Sequence, residues 1–352
     1  MSLIHNGIPS YVHYGTNALK ELTVSTPKTF LISDENLART EMFQTVRKMI
    51  APAEVYLLPA GEPKVSDAQR ALDAFRKLGM ESVIGLGGGS VLDVAKTVAV
   101  LGKSNLTVKE SIGNPALDRQ VELVLVPTTA GTGSEATRNC LFIDDQTRIK
   151  CALIADACLP DVVVLDPVLT RSLPPAIAAF TGVDALCHCV ESYISCNHSP
   201  ISRLWSMAGI EKVREWLPHT IRERESDEAR QQMLFASFFG GMALALAGTT
   251  AVHALAYSLG KRGVPHGVAN SLLFEPVMRT TLEKPEELIP HFSELCAMIH
   301  RLPIPTLDRY DVHPEEASAM AEEAMGQTRL LKNHPVVVRK ETAEEIFERL
   351  FG

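Results

Sequence analysis

Along the first half of the chain, short apolar runs rich in β-branched residues alternate with longer stretches whose apolar positions recur every three or four residues. The runs predict strands at 29–33, 54–58, 82–86, 121–126 and 162–165. The stretches between them predict helices at 36–50, 66–78 and 90–101. Such alternation is what helices packed on a largely parallel sheet require. After Asp166-Pro167 the strand signals nearly stop, and Pro174-Pro175 opens a series of helical patterns at 177–195, 202–216, 229–247, 250–259, 285–300, 314–325 and 343–350. The expected architecture is an α/β domain over residues 1–166 and an all-α domain over 167–352. A short join is expected, with a ligand cleft between the halves.

From Gln231 to Ser258 there is no Lys, Arg, Asp or Glu, a length that could cross a bilayer. Gly248, Thr249 and Thr250 break it, so a pair of buried core helices is expected and a membrane span is not. The 352 residues carry 34 Lys and Arg against 42 Asp and Glu, a net charge of −8 that argues against nucleic acid as a partner. Seven cysteines, an odd number without framework spacing, point to a reducing compartment. The N-terminal residues show no basic stretch followed by an apolar run, so a cytoplasmic location is expected.

Chemistry enters at the strand ends. After the run Ser82-Val83-Ile84-Gly85-Leu86 come Gly87, Gly88, Gly89 and Ser90, then a helix. Glycines let backbone N–H groups approach a pyrophosphate, and a helix N-terminus favours its charge. Ser90 and Asp93 also have capping-box spacing, an alternative reading for both. The loop does not match G-x-G-x-x-G, so an ordinary Rossmann fingerprint is absent. Asp34, ending an earlier strand, could bind a ribose 2′-hydroxyl and repel a 2′-phosphate, or simply cap the helix starting near Asn36. A second turn, Pro127 to Glu135, is dense in hydroxyls and glycines and follows another apolar strand, which suggests a ligand shared with the glycine loop.

Asp184 and His188 lie four apart on a predicted helix, hence on one face. His253 falls in the charge-free segment, and His266 in an expected Pro/Gly turn, both with apolar flanks that favour neutral imidazole. One carboxylate and three imidazoles suit Fe²⁺ or Zn²⁺ and leave the ion net positive, able to polarise a substrate oxygen. Cys187 and Cys189 flank His188 but point away from it on a helix, and are expected to pack.

The motifs GGGSVLDVAK (87–96), PTTAGTGSEAT (127–137), PDVVVLDP (160–167), LPPAIAAFTGVDALCHCVESYIS (173–195) and PHGVAN (265–270) together resemble the iron-containing alcohol dehydrogenase family. The resemblance implies a dehydroquinate synthase-like fold, with a dinucleotide-binding α/β domain and a helical metal-binding domain. It also implies NAD(P)-linked interconversion of an alcohol with its aldehyde or ketone. By matching motif, Asp184, His188, His253 and His266 would hold Fe²⁺, with Zn²⁺ as the alternative. Gly87, Gly88, Gly89 and Ser90 would hold the pyrophosphate, with Asp93, Thr128, Thr129, Thr132, Leu141 and Lys150 lining the cofactor. Asp34 matches the acidic position that favours NAD over NADP, and a homodimer is implied. Many members carry a histidine four residues after the third ligand, in the proton path. Here it is Tyr257, the candidate catalytic residue, a phenol in place of a stronger acid. Rival expectations are glycerol dehydrogenase-like polyol oxidation, a lyase of the related dehydroquinate synthase type, and a nucleotide- or metal-binding relative that has lost catalysis.

Overall fold

The computed structural model of the chain describes residues 9–147, 149–223 and 225–351. Its contacts divide it into two compact units, Met1–Thr129 with Gly133–Ser172, and Ala130–Thr132 with Leu173–Gly352. The division falls six residues beyond Asp166, and it gives three residues of the hydroxyl-rich turn to the helical unit.

The first unit is a doubly wound α/β layer. Its elements in chain order are β1 (Tyr11–Tyr14), β2 (Thr29–Asp34), α1 (Glu41–Ile50), β3 (Glu54–Leu58), α2 (Val65–Lys77), β4 (Ser82–Gly87), α3 (Gly89–Leu101), the single turn α4 (Val108–Ser111), β5 (Glu122–Pro127), β6 (Asn139–Ile143), β7 (Lys150–Ile154) and β8 (Val162–Leu165). Six strands form one parallel sheet in the order β1-β8-β5-β4-β2-β3. Every residue of β4 is buried, as expected of a central parallel strand covered on both faces. The five predicted strands are all present; β1 and the antiparallel β6–β7 hairpin were not anticipated.

That hairpin explains an odd helix. From Val91 to Leu101, α3 is buried all round, because it packs on β4 and β5 and also against β6. Its two buried charges are therefore spent internally. The Asp93 carboxylate accepts from Ser134 Oγ at 2.5 Å and Leu141 N at 2.9 Å, and pairs with Lys96 Nζ at 2.9 Å. Lys96 in turn donates to the carbonyls of Ser134 (3.0 Å) and Asn139 (2.5 Å). The capping-box reading of Ser90 and Asp93 is thus overturned: the helix starts at Gly89 with Gly88 as its N-cap and no side-chain cap.

The second unit is helical: α5 (Pro175–Ile194), α6 (Pro200–Arg222), α7 (Asp227–Ala247), α8 (Ala251–Gly260), α9 (His266–Thr281), α10 (Pro285–Leu288), α11 (Phe292–Ile299), α12 (Ala317–Met325), α13 (Thr328–Leu331) and α14 (Lys340–Glu348). Helices α5, α6 and α7 pack mutually, and α9 packs on both α5 and α8. The predicted helix 285–300 is two pieces, α10 and α11, separated at Ile289 to His291. The expectation for His266 also needs correction. It is the first residue of α9, with Pro265 as N-cap, rather than part of a turn. Pro and Gly around it do not break the helix, because its body from Gly267 to Ser271 is buried against the rest of the unit.

Among the described residues no single helix is long and apolar enough to cross a membrane. The charge-free segment is the expected buried pair, α7 and α8, bent by 106° at Gly248, whose φ of 74° is open to glycine at little cost.

Candidate metal and cofactor sites

Three helices of the second unit bring the predicted metal-binding residues together. Asp184 and His188 share one face of α5, His253 sits in the first turn of α8, and His266 opens α9. From Asp184 Oδ1 it is 3.9 Å to His188 Nε2, 3.7 Å to His253 Nε2 and 3.8 Å to His266 Nε2. Ligands on a tetrahedral ion at about 2.1 Å would lie roughly 3.4 Å apart, close to these spacings. Asp184, His188 and His253 are buried and offer donor atoms within 4.8 Å of one another, while His266 is partly exposed. The His188 and His253 rings stack with centroids 4.7 Å apart, and His253 meets His266 edge-on at 5.2 Å.

Electrostatics at the cluster suit a cation. Burial pushes the Asp184 carboxyl up, but His188, His266, His253 and the Asn270 amide outweigh it and hold Asp184 below its usual range. Burial pulls His188 down, only partly opposed by Asp184, which favours the neutral ring. The Asn270 Nδ2 group lies 2.6 Å from Asp184 Oδ1 and 3.2 Å from Nε2 of both His253 and His266. An amide nitrogen has only two hydrogens, so it cannot serve Asp184 Oδ1 and both ring nitrogens at once. One carboxylate oxygen and three imidazole nitrogens meeting at one place are the donor set a divalent ion fits.

Sequence reasoning passed over three residues here. Glu191, fully buried on α5, contacts His253 Nδ1 through Oε2. Its spacing gives the signal, since Asp184, His188 and Glu191 fall at i, i+4 and i+7 of one helix face. Asn270 is four residues after His266 on α9, a relation hidden while His266 was read as a turn residue. Gly131 offers its carbonyl to His188 Nδ1 at 3.2 Å. A Cβ on Gly131 would lie 2.6 Å from the Thr181 carbonyl oxygen, so only glycine lets this segment sit on α5. Tyr257 is half-buried, its ring stacked on His266 at 6.3 Å. Cys187 and Cys189 are fully buried, and burial pushes the Cys189 thiol up to about 12, in keeping with packing roles.

In the first unit, the predicted cofactor residues gather at the carboxyl ends of three neighbouring strands. Asp34 ends β2, the glycine loop follows β4, and Thr128 and Thr129 follow β5. Strand order reverses between β2 and β4, and the crevice at such a switch point is where open α/β sheets bind ligands. Thr128 N donates to Gly87 O at 3.0 Å, and Gly88 lies against Thr129, so the two loops adjoin. Gly87 has no room for a side chain, because its Cβ would fall 2.7 Å from Val91 Cγ2. Val91 N and Leu92 N donate to the Gly88 carbonyl at 3.0 and 3.1 Å, and the N–H groups of Gly89 and Ser90 before them have no acceptor within the helix. Gly88, Gly89, Ser90 and Thr129 are all partly exposed.

Other candidates are engaged elsewhere. Asp93 and the Leu141 amide brace each other across α3 and β6, and Lys150 pairs with Glu62 at 2.6 Å. Asp34 Oδ1 caps the short turn at 37–39, accepting from Asn36 N and Leu37 N, both at 2.9 Å. Thr132 belongs to the helical unit.

Comparison with known proteins decides the family. Residues 9–167 match the model "Iron-containing alcohol dehydrogenase", and residues 178–300 match "Fe-containing alcohol dehydrogenase family, C-terminal". The chain belongs to the iron-containing alcohol dehydrogenase family. It is a nicotinamide-linked alcohol oxidoreductase. Alcohol dehydrogenase 4 of Saccharomyces cerevisiae is 30% identical, over 98% of this chain and 97% of the yeast protein. The NAD-dependent methanol dehydrogenase of Bacillus methanolicus is 28% identical, over 82% of this chain and 78% of its own. Among solved structures, a 1,3-propanediol oxidoreductase superposes with a TM-score of 0.89 at 27% identity, covering 99% of this chain and 100% of that one.

Proposed function

We propose that this dehydrogenase interconverts a primary or secondary alcohol with its aldehyde or ketone, using NAD in preference to NADP. We assign a divalent ion, Fe²⁺ with Zn²⁺ as the alternative, to Asp184, His188, His253 and His266. The observation that carries the reading is the convergence of one carboxylate oxygen and three imidazole nitrogens from α5, α8 and α9, with 3.7 to 3.9 Å from the oxygen to each nitrogen. When bound, the ion supplies Lewis-acid polarisation of the substrate oxygen, and the nicotinamide takes or returns the hydride.

The chain's own groups prepare that chemistry. Asp184 brings a single negative charge, so a divalent ion keeps a net positive charge to act on substrate. Asn270 donates to Asp184 and holds its orientation. Tyr257, beside His266, would donate a hydrogen bond to the reacting oxygen or pass its proton onward. In the cofactor half, Gly87, Gly88, Gly89 and Ser90 would cradle the pyrophosphate at the start of α3, with Thr128, Thr129 and Thr132 on sugar and phosphate oxygens. Asp34 would take the ribose 2′-hydroxyl with Oδ2 while Oδ1 caps the following turn. Asp93, Leu141 and Lys150 would shape the wall of the cofactor site through the β6–β7 hairpin. Residues 1–166 would thus serve the cofactor and 167–352 the metal and substrate.

A cytoplasmic homodimer completes the proposal. Seven free cysteines support a reducing compartment, and the outer edge of β1, with Tyr11 and Tyr14 exposed, supports self-association. The test is an alcohol and carbonyl panel with NAD and NADP on protein of assayed metal content, before and after chelation. Turnover should vanish on chelation and return with Fe²⁺ or Zn²⁺. A full rate without metal refutes the assignment.

A further inference from the structure

Glu191 is completely buried in an apolar helix, a position an ionised carboxylate tolerates only when its lone pairs are met. All of its described hydrogen bonds go to one place, the start of α8. Oε1 accepts from Thr250 N at 2.9 Å, Thr250 Oγ1 at 2.7 Å and Val252 N at 2.9 Å. Oε2 faces Nδ1 of His253. A single carboxylate therefore caps the helix and grips the imidazole that the helix presents.

The contact settles which ring nitrogen carries the proton. A carboxylate only accepts, so His253 Nδ1 must hold the hydrogen and Nε2 must keep its lone pair. Nε2 is the atom 3.7 Å from Asp184 Oδ1 and 3.2 Å from the Asn270 amide. We propose that Glu191 is the positioning residue of the metal site: it fixes the tautomer and ring plane of His253 and strengthens that imidazole as a donor to a divalent ion. This rests on the four-ligand reading above. Partners of this kind, outside the ligands themselves, typically alter metal affinity when removed.

A capping role alone makes a different prediction, and Glu191→Gln separates the two. Glutamine keeps the volume and an oxygen for the Thr250 and Val252 donors, so the cap survives. Its amide nitrogen then faces His253 Nδ1 as a donor, which requires the His253 proton on Nε2, where it blocks the ion. Thr250→Val is the complementary change, removing a bond to Oε1 while leaving the His253 contact.

The experiment titrates Co²⁺ into the full-length, chelator-stripped wild type, Glu191→Gln, Thr250→Val and Asp184→Asn proteins, by calorimetry and by the visible absorption of the bound ion. Glu191→Gln should bind about 10- to 100-fold more weakly and with an altered spectrum, and Thr250→Val like wild type. Equal affinity for Glu191→Gln and wild type overturns the positioning role. A wild type that binds no Co²⁺, or an Asp184→Asn variant that binds it unchanged, overturns the four-ligand reading and the positioning role with it. Should Glu191→Gln fail to fold, the imidazole nitrogen chemical shifts of chelator-stripped wild type, where no ion imposes the tautomer, decide the question. A proton on Nδ1 of His253 supports the role, and a proton on Nε2 overturns it.

Discussion

Glu135 is a carboxylate whose ionisation the fold opposes. It lies on the short turn Ser134–Ala136 against α3 and β5, 1% exposed, and neither carboxylate oxygen meets a partner at hydrogen-bond geometry among the described residues. Lys96 is the nearby cation, but its hydrogen bonds are directed to Asp93, Ser134 and Asn139. Burial consequently pushes the Glu135 carboxyl from 4.5 up to about 7, only partly eased by its own backbone N–H and by Lys96. Between those two values the folded protein holds a proton that the unfolded chain has released. Stability is then fully present below about pH 4.5, falls as pH rises, and levels off above about pH 7. A displacement of 7 − 4.5 = 2.5, at about 1.4 kcal/mol for each pH unit, sets the full loss near 3.5 kcal/mol. Glu135→Gln removes the ionisation and keeps the shape. Its stability relative to wild type should therefore rise by about 2.5 kcal/mol between pH 5 and pH 8, the remainder of the change lying below pH 5. Urea unfolding followed by circular dichroism is the assay, because both tryptophans, Trp205 and Trp216, lie on α6 in the other unit and would not report on this one. Parallel pH curves for the two proteins would show that the carboxylate is ionised and partnered in the fold, and the reasoning would fail.

Two further positions bear on the proposed reaction. Tyr257→Phe should lower kcat by about 100-fold while leaving NAD affinity unchanged, since a positioned proton donor commonly contributes that much; stopped-flow turnover and fluorescence titration check it, and unchanged turnover would return Tyr257 to packing against His266. At Asp34 two roles can be split. Asp34→Asn keeps an oxygen for the Asn36 and Leu37 amides but removes the charge, so the ratio of kcat/KM for NADP to that for NAD should rise by about tenfold, or 1.4 kcal/mol, without loss of stability. Asp34→Gly should relax the preference similarly but lose about 1 kcal/mol of unfolding free energy with the cap. Unchanged discrimination in both would leave Asp34 as a cap only.

What the sequence disclosed follows the range of the interactions that fix each feature. The central strands β2, β4 and β5 were readable because burial on both faces leaves an uninterrupted apolar run. The β6–β7 hairpin was not, because its strands are short, half-buried and separated by the charged turn after Ile143, and the pair is held in place through the packing of β6 on α3. Helix α9 was hidden by Pro265, Gly267 and Pro276, local signals that burial against α5 and α8 overrides. The metal site shows the same gradation. Asp184 and His188 are legible from spacing on one helix, whereas His253 needs the 106° bend at Gly248 to turn α8 toward α5.

Glu191 sits at the limit of what pattern can supply. Its face on α5 is periodic and could be counted, yet its partners lie 59 to 62 positions away along the chain. The bend at Gly248 frees the first N–H groups of α8 from any continuous helix, and a buried helix end left unmet would be costly. Glu191 meets those groups and His253 with the same two oxygens. The break that spoils a membrane-length helix is thus also what creates the donors that hold a buried carboxylate next to the ligand. A charge-free segment interrupted by Gly-Thr-Thr, in a chain with an acidic residue at i+7 on an apolar helix, is in physical terms one feature read in two places.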